Sequence, residues 1–155
     1  MVMEEKEERV GAVRVGMVWG GIGGVAGLSV SLLGSLVGIV VSVFIGVACG
    51  RRAAVAGQRA GALSGLVGGA IAAPVYALGS TIGALFAARE IGAVRLAATL
   101  SELLGSKVSA DEAWTFFLIS LVLSAIIEIT LLIVAAMAAG AWSKREGSDA
   151  SDQEG

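Results

Sequence analysis

The chain has 155 residues, of which 56% are hydrophobic and 15% charged, and its mean hydropathy is +0.87. An average soluble domain carries about 25% charged residues, so this composition excludes an ordinary soluble domain. The net charge of −2 gives no indication of a nucleic-acid partner, and the lack of histidine removes the commonest metal ligand and general base. We therefore expect no cofactor and no enzymatic activity. The one cysteine, Cys49, excludes an intramolecular disulfide.

Charged residues are absent from two long segments and nearly absent from a third. None occurs in residues 15–49 or 60–88, and Glu128 alone interrupts residues 113–143. About 20 helical residues cross a bilayer core of about 30 Å, and the segments lack the alternating pattern of barrel strands. The sequence therefore predicts an all-α integral membrane helical bundle, surrounded by lipid, in the cytoplasmic membrane.

The first apolar segment, residues 15–49, follows a polar head at residues 1–13 and allows two interpretations. As one straight helix it would be about 52 Å long and would need a steep tilt to fit the bilayer. The alternative is a hairpin with spans at residues 14–34 and 36–50 and a turn near Gly34. Its second span would be short, at about 22 Å.

The distribution of basic residues favours the hairpin. With four spans, at about residues 14–34, 36–50, 60–88 and 112–142, one side of the membrane would hold eight basic residues and the other three. With three spans, the two sides would hold six and five. Because basic residues accumulate on the cytoplasmic side, we favour four spans over three, with both termini cytoplasmic. The eight are Lys6, Arg9, Arg14, Arg51, Arg52, Arg59, Lys144 and Arg145, and the three are Arg89, Arg95 and Lys107.

Three local features are expected after the hairpin. Pro74 should kink the third span, either as packing geometry or as a gating hinge. Residues 91–105 form an amphipathic pattern, which indicates a helix at the membrane surface or a connecting helix packed on the bundle. Ser109 and Glu112 fit a capping box at the start of the last span. The small, polar and acidic tail, residues 143–155, is expected to be disordered.

Small residues recur at every fourth position along the second and third spans. Residues four apart share a helix face, and a face without side chains lets two backbones approach closely. Because the two longest stripes flank one short basic loop, we expect them to face each other within the chain. Self-association into a homo-oligomer, or contact with another membrane protein, is the alternative. The stripes are Gly34, Gly38, Ser42, Gly46 and Gly50, then Gly57, Gly61, Gly65 and Gly69, with a shorter one at Gly16, Gly20 and Gly24.

Glu128 is the one charged residue in residues 113–143 and lies at the centre of this stretch. A carboxylate at the bilayer midplane costs at least about 2.5 kcal/mol on insertion scales. Ser120 and Ser124 share its helix face, and the third span offers three hydroxyl partners: Tyr76, Ser80 and Thr81. The side chain is interpreted either as a proton- or cation-coupled site or as a protonated group that hydrogen-bonds a neighbouring helix.

Residues 35–69 read SLVGIVVSVFIGVACGRRAAVAGQRAGALSGLVGG. This stretch resembles small four-span bacterial and archaeal membrane proteins of unknown function, which share a glycine-rich hairpin, a short basic loop and a helix start similar to GALSGLVGG. The resemblance implies four spans but no catalytic or binding residues. From the residues themselves we expect a structural or accessory role through glycine-mediated packing or, as the alternative, a small transporter or channel subunit that uses Glu128.

Overall fold

The computed structural model describes residues 2–30, 35–56 and 61–151, with side chains at residues 10–27, 37–56 and 61–143. The described residues form five α-helices and no strand: α1 (Val2–Val30), α2 (Ser35–Ala56), α3 (Gly61–Ile91), α4 (Ala93–Leu104) and α5 (Ala110–Ser151). Four helices contain segments long and apolar enough to cross a membrane: Val10–Gly27, Val37–Ala56, Gly61–Ile91 and Ala110–Ser143. The prediction of an all-α membrane bundle with four spans is therefore confirmed.

The first apolar segment forms two helices rather than one. α1 ends at Val30, α2 begins at Ser35, and the two helices contact each other. The long straight helix is therefore excluded in favour of the hairpin. Gly34, the predicted turn residue, lies outside the described residues.

The second span is longer than predicted. α2 ends at Ala56 instead of residue 50, because Arg51 and Arg52 remain helical with exposed side chains. Arginine is a good helix former, and its long side chain carries the charge away from the apolar surface. The two arginines therefore end the apolar segment without ending the helix. The resulting candidate span of 20 residues is about 30 Å long, enough to cross the bilayer core.

The C-terminal tail also differs from its prediction. α5 runs to Ser151, whereas the sequence predicts disorder from residue 143; that disorder stays a prediction, and residues 152–155 lie outside the described part. The Lys-Arg-Glu sequence at residues 144–146 consists of strong helix formers, which continue the helix past the apolar segment. A polar composition therefore ends the membrane span but not α5.

Contacts between helices define the two ends of the bundle. α1 packs mainly on α3, while α2 and α3 both pack on α5. The start of α1 meets the end of α2, where a Cβ atom on Gly11 would lie 3.6 Å from the Ala56 Cβ. The end of α5 meets the start of α3, where Gly140 approaches the carbonyl group of Gly61. Both contacts lie at the same end of the bundle, which we call the basic end. Its exposed basic residues include Arg14, Arg51 and Arg52. The opposite end is the α4 end.

α4 joins α3 to α5 through two glycines with left-handed backbone conformations. Gly92 (φ 81°) separates α3 from α4, and Gly105 (φ 64°) ends α4. Glycine adopts positive φ without a Cβ clash, so it suits both junctions. α4 contacts α5 and buries Ala97. The helix therefore lies within the predicted residues 91–105 and packs on the bundle.

The capping box at the start of α5 is confirmed. The backbone N–H of Ser109 donates to Glu112 Oε2 at 2.8 Å, and the backbone N–H of Glu112 donates to Ser109 Oγ at 3.3 Å. Each residue thus satisfies a backbone donor that the first helical turn leaves without a partner. α5 consequently begins just after the short connection from α4.

Small side chains dominate the interior of the bundle. The largest fully buried side chains are Tyr76, Leu132, Cys49 and Ser42, and most other buried residues are alanine or glycine. Large apolar residues such as Phe44 and Phe86 are instead exposed. This inverted pattern is typical of helices in lipid, where apolar side chains lose nothing by facing outward and close backbone packing holds the bundle together.

Candidate functional site

The glycine stripe of α2 faces α5. A Cβ atom on Gly46 would lie 2.5 Å from the Leu132 carbonyl oxygen, and one on Gly50 would overlap the carbonyl group of Ala136. Ser42, one turn closer to the α4 end, is fully buried, and its hydroxyl donates to a carbonyl group within α2. The side-chain-free face therefore lets the α2 backbone touch the α5 backbone.

The glycine stripe of α3 also faces α5. A Cβ atom on Gly65 would overlap the Ala136 carbonyl group, and one on Gly69 would lie 2.9 Å from the Ala136 Cβ. α5 thus lies against both stripes, and the prediction that they face each other is wrong. Periodicity identifies a small-residue face but not its partner, and α5 offers its own small residues, Ala136 and Gly140, four positions apart.

The shorter stripe of α1 packs on α3. A Cβ atom on Gly16 would lie 2.7 Å from the Gly68 carbonyl oxygen, and one on Gly79 would overlap the carbonyl group of Gly24. α3 therefore uses one face for α1 and another for α5, which makes it the central helix of the bundle. Two predicted packing residues lie outside the described part of the chain: Gly34 and Gly57.

Glu128 lies at the level of the contact between Gly24 and Gly79 and beyond the contacts of Gly46, Gly50, Gly65 and Gly69 with α5, toward the α4 end. Its side chain is 5% exposed. Ser80 Oγ donates to Glu128 Oε2 at 3.0 Å, and Ser124 Oγ donates to Oε1 at 3.5 Å. A Cβ atom on Gly38 would lie 2.9 Å from Oε1, so this glycine leaves room for the carboxyl group. Of the predicted site residues, Ser124 thus contacts Glu128, whereas Ser120 is exposed and lies two turns away along α5.

Tyr76 positions the site without a hydrogen bond to the carboxyl group. Its side chain is fully buried, and its hydroxyl donates to the Gly38 carbonyl oxygen at 2.8 Å. Because Gly38 faces Glu128, this bond fixes α2 against α3 at the level of the carboxyl group. The sequence offers Tyr76 as a direct partner of Glu128, and the structure gives it this indirect position instead.

The carboxyl group lies close to one end of the first hairpin rather than at its middle. Gly38, which faces it, is three residues from the start of α2 at Ser35, a rise of about 5 Å. α3 continues 11 residues past Ser80 to Ile91, or about 16 Å, and α5 extends 18 residues from Glu128 back to its start, or about 27 Å. α3 and α5 therefore project well beyond the described ends of α1 and α2 on the side of the α4 end.

A cavity of about 270 Å³ lies between these projecting parts of α3 and α5. Its polar lining residues are Tyr76, Ser80, Thr81, Ser120, Ser124 and Glu128. Toward the α4 end its lining becomes apolar and includes Ile91, Leu96 and Phe117. The described residues contain no group of three or more His, Cys, Asp or Glu side chains that could hold a metal ion. The cavity is thus apolar at one end and carries a carboxyl group at the other.

Sequence patterns identify the polar end of this cavity but not its apolar end. Phe117 and Leu121 extend the face of Ser124 and Glu128 toward the α4 end at helical spacing, and both line the cavity. That spacing could identify Phe117 and Leu121 as lining residues. It does not single them out, because apolar residues are common on every face of a membrane helix. Pro74 is exposed on α3 and does not line the cavity, and its kink stays a prediction.

Comparisons with protein families, curated proteins and solved structures find no match to this chain. The resemblance to small four-span membrane proteins therefore stays a prediction. Fold and site together define a class: a four-span membrane helical bundle with a buried carboxyl group at one end of a half-open cavity.

Proposed function

We propose that the chain is a small transporter or channel subunit in which Glu128 binds a proton or a cation. The observation that carries this proposal is the position of the carboxyl group, which is 5% exposed and lines a half-open cavity between membrane-spanning helices. Ionisable groups at such positions in membrane proteins typically mark ion pathways or proton relays. The sequence alone favours a structural or accessory role, and the cavity favours the alternative.

The cost of a buried charge supports a binding role over a purely structural one. A carboxylate at the centre of a membrane helix costs at least about 2.5 kcal/mol, whereas interhelical hydrogen bonds in membranes average about 0.6 kcal/mol each. The bonds from Ser80 and Ser124 therefore do not offset the cost of the charge, so the carboxyl group keeps a proton unless a cation pairs with it. Glu128 would thus hold either a proton or a cation, which is what a coupled binding site requires.

A structural or accessory role is the second candidate, and a different observation favours it. The glycine faces of α1, α2 and α3 are occupied by neighbouring helices of the same chain. The glycines thus stabilise the monomer, and a homo-oligomer or a complex with another membrane protein would have to use another surface. Such a protein would need its stability but not its carboxyl group.

We further propose that the basic end lies on the cytoplasmic side of the cell membrane, with both termini in the cytoplasm. The distribution of eight basic residues against three supports this orientation. In a Cys49→Ala background, a membrane-impermeant maleimide should label Ser106→Cys in intact cells and Ser148→Cys only after lysis. Labelling of both positions from the same side would contradict the four-span orientation.

Titration of Glu128 tests the proposed function directly. In protein reconstituted into lipid vesicles, infrared difference spectra between acidic and alkaline pH should show the C=O band of one protonated carboxyl group that disappears in Glu128→Gln. The same variant should lose proton or cation flux across the vesicle membrane, because glutamine keeps the shape and hydrogen bonding but does not titrate.

Glu102→Gln is the matched control, since this acid is exposed on α4 and does not line the cavity. It should leave the flux unchanged, and it should leave the band assigned to Glu128 unchanged. Wild-type vesicles without flux, together with a Glu128 band that responds neither to pH nor to added cations, would contradict the proposal and favour the structural role.

A further inference from the structure

We infer that the ligand of this cavity is an elongated organic monocation, which binds its charged group at Glu128 and its apolar part toward α4. This inference rests on the proposed function and names the class of ligand for the same site. The cavity combines one acidic group with an apolar far end, and those two features recognise different parts of one molecule.

The length of the cavity indicates an elongated ligand. On α3 the lining residues run from Ser80 to Ile91, and on α5 from Glu128 to Phe117. Each of these stretches rises by about 16 Å. The lining residues therefore extend the cavity over about 16 Å, which is farther than a compact ion requires. An alkyl or aryl chain suits such a shape better than a compact ion does.

The charge of the lining indicates a single positive charge on the ligand. Glu128 is the one charged residue that lines the cavity among the described residues. α1 and α2 present Gly27 and Gly38, α4 presents Leu96, and α3 presents Tyr76 as its titratable group. The Tyr76 hydroxyl already donates to the Gly38 carbonyl. One cation is therefore enough to neutralise the site.

The donor set favours an organic cation over an inorganic one. Hard metal cations require about six or more oxygen ligands, whereas the hydroxyls of Ser80 and Ser124 donate to the carboxyl group. An alkylammonium group needs fewer oxygen ligands and is attracted to aromatic rings, and Tyr76 lines the cavity near Glu128. The remaining lining residues are mostly alanine, glycine and leucine, which contact an apolar chain without a loss of hydration.

When such a cation binds, it would replace a proton on Glu128. The protonated Glu128 carboxyl group gives its proton to water, and the resulting carboxylate pairs with the ammonium group. One proton leaves for each cation bound, so no net charge enters the cavity. Acidic pH should therefore weaken cation binding, and cation binding should release protons from the protein.

Calorimetry on the full chain in lipid nanodiscs tests the inference with octyltrimethylammonium, tetramethylammonium and sodium ions as probes. Octyltrimethylammonium should bind at least about tenfold more tightly than tetramethylammonium, because the octyl chain fills the apolar end. Binding should release about one proton and should disappear in Glu128→Gln. Empty nanodiscs measure the partitioning of the probes into lipid, which is subtracted.

Two matched substitutions on α5 locate the alkyl chain. Ala125→Leu places a larger side chain in the cavity lining, whereas Ala138→Leu makes the same change at an exposed position outside it. The first should weaken octyltrimethylammonium binding at least about tenfold while the Glu128 infrared band is retained, and the second should leave both unchanged.

The possible outcomes separate the ligand class from the proposed function. Equal affinity for octyltrimethylammonium and tetramethylammonium, or preferential binding of sodium, would overturn the elongated organic cation while Glu128 remained a cation site. Octyltrimethylammonium binding that survives in Glu128→Gln would also overturn the inference. If no probe binds and the Glu128 band does not titrate, the inference and the proposed function fail together.

Discussion

The two ends of the bundle are held together by different means. At the basic end, glycines bring helix backbones into direct contact, as where Gly50 and Gly65 both meet Ala136. At the α4 end, α3 and α5 stand apart around a cavity, and the polar contacts of Glu128 lie at the boundary between the two regions. One pair of helices is therefore tightly packed along one half and separated along the other.

The lengths of the helices explain this difference. The described part of the α1–α2 hairpin ends about one turn beyond Glu128, at Val30 and Ser35, whereas α3 and α5 continue farther toward the α4 end. α4 connects the two longer helices by a 12-residue segment instead of a tight turn, which keeps their ends apart. A rigid half thus supports an open half, and binding sites are commonly built on such rigid supports.

The largest expected effect comes from adding one methyl group in the packed half. Gly50→Ala places a Cβ atom on the Ala136 carbonyl group, so α2 and α5 must move apart. Overpacking of this kind typically costs about 1–3 kcal/mol in the free energy of unfolding. Unfolding of the purified protein in detergent, by heat or by denaturant, measures the change.

Two glycines provide matched controls for that substitution. Gly21 is exposed on α1, and a Cβ atom added there would have nothing within 4 Å, so Gly21→Ala should leave stability unchanged or raise it slightly. Gly38→Ala meets only the end of the Glu128 side chain, which is able to shift, and should cost less than Gly50→Ala. Equal losses at all three positions would show that backbone contact does not distinguish the two regions.

The sequence predicts the membrane bundle well because lipid imposes simple rules. Long uncharged segments mark the spans, and the eight-to-three distribution of basic residues selects the hairpin that the structure contains. The end of α2 is harder to predict, because Arg51 and Arg52 end the uncharged segment, although arginine both forms helices and extends its charge outward. Polarity thus locates the membrane boundary rather than the helix end.

The site is less predictable than the spans, because it depends on which helices become neighbours. Ser124 follows from spacing along α5, and Ser80 is one of three candidate partners on α3. The position of Gly38 opposite Glu128 requires knowing that α2 packs on α5. The cavity itself depends on the α1–α2 hairpin being shorter than α3 and α5 where they pack together. No local sequence pattern predicts this difference in length.

The smallest expected effect on stability comes from Glu128, at the boundary of the two regions. Glu128→Gln keeps the hydrogen bonds with Ser80 and Ser124 and should leave the free energy of unfolding unchanged. Glu128→Leu loses those bonds, at about 0.6 kcal/mol each on average, but removes a group that is expensive to insert into lipid. We therefore expect a net change below about 1 kcal/mol for leucine in the same unfolding measurement, although both variants lose cation binding. A loss for Glu128→Leu larger than that for Gly50→Ala would show that the carboxyl group holds the α4 end together, and the structural role would then become the better explanation of the site.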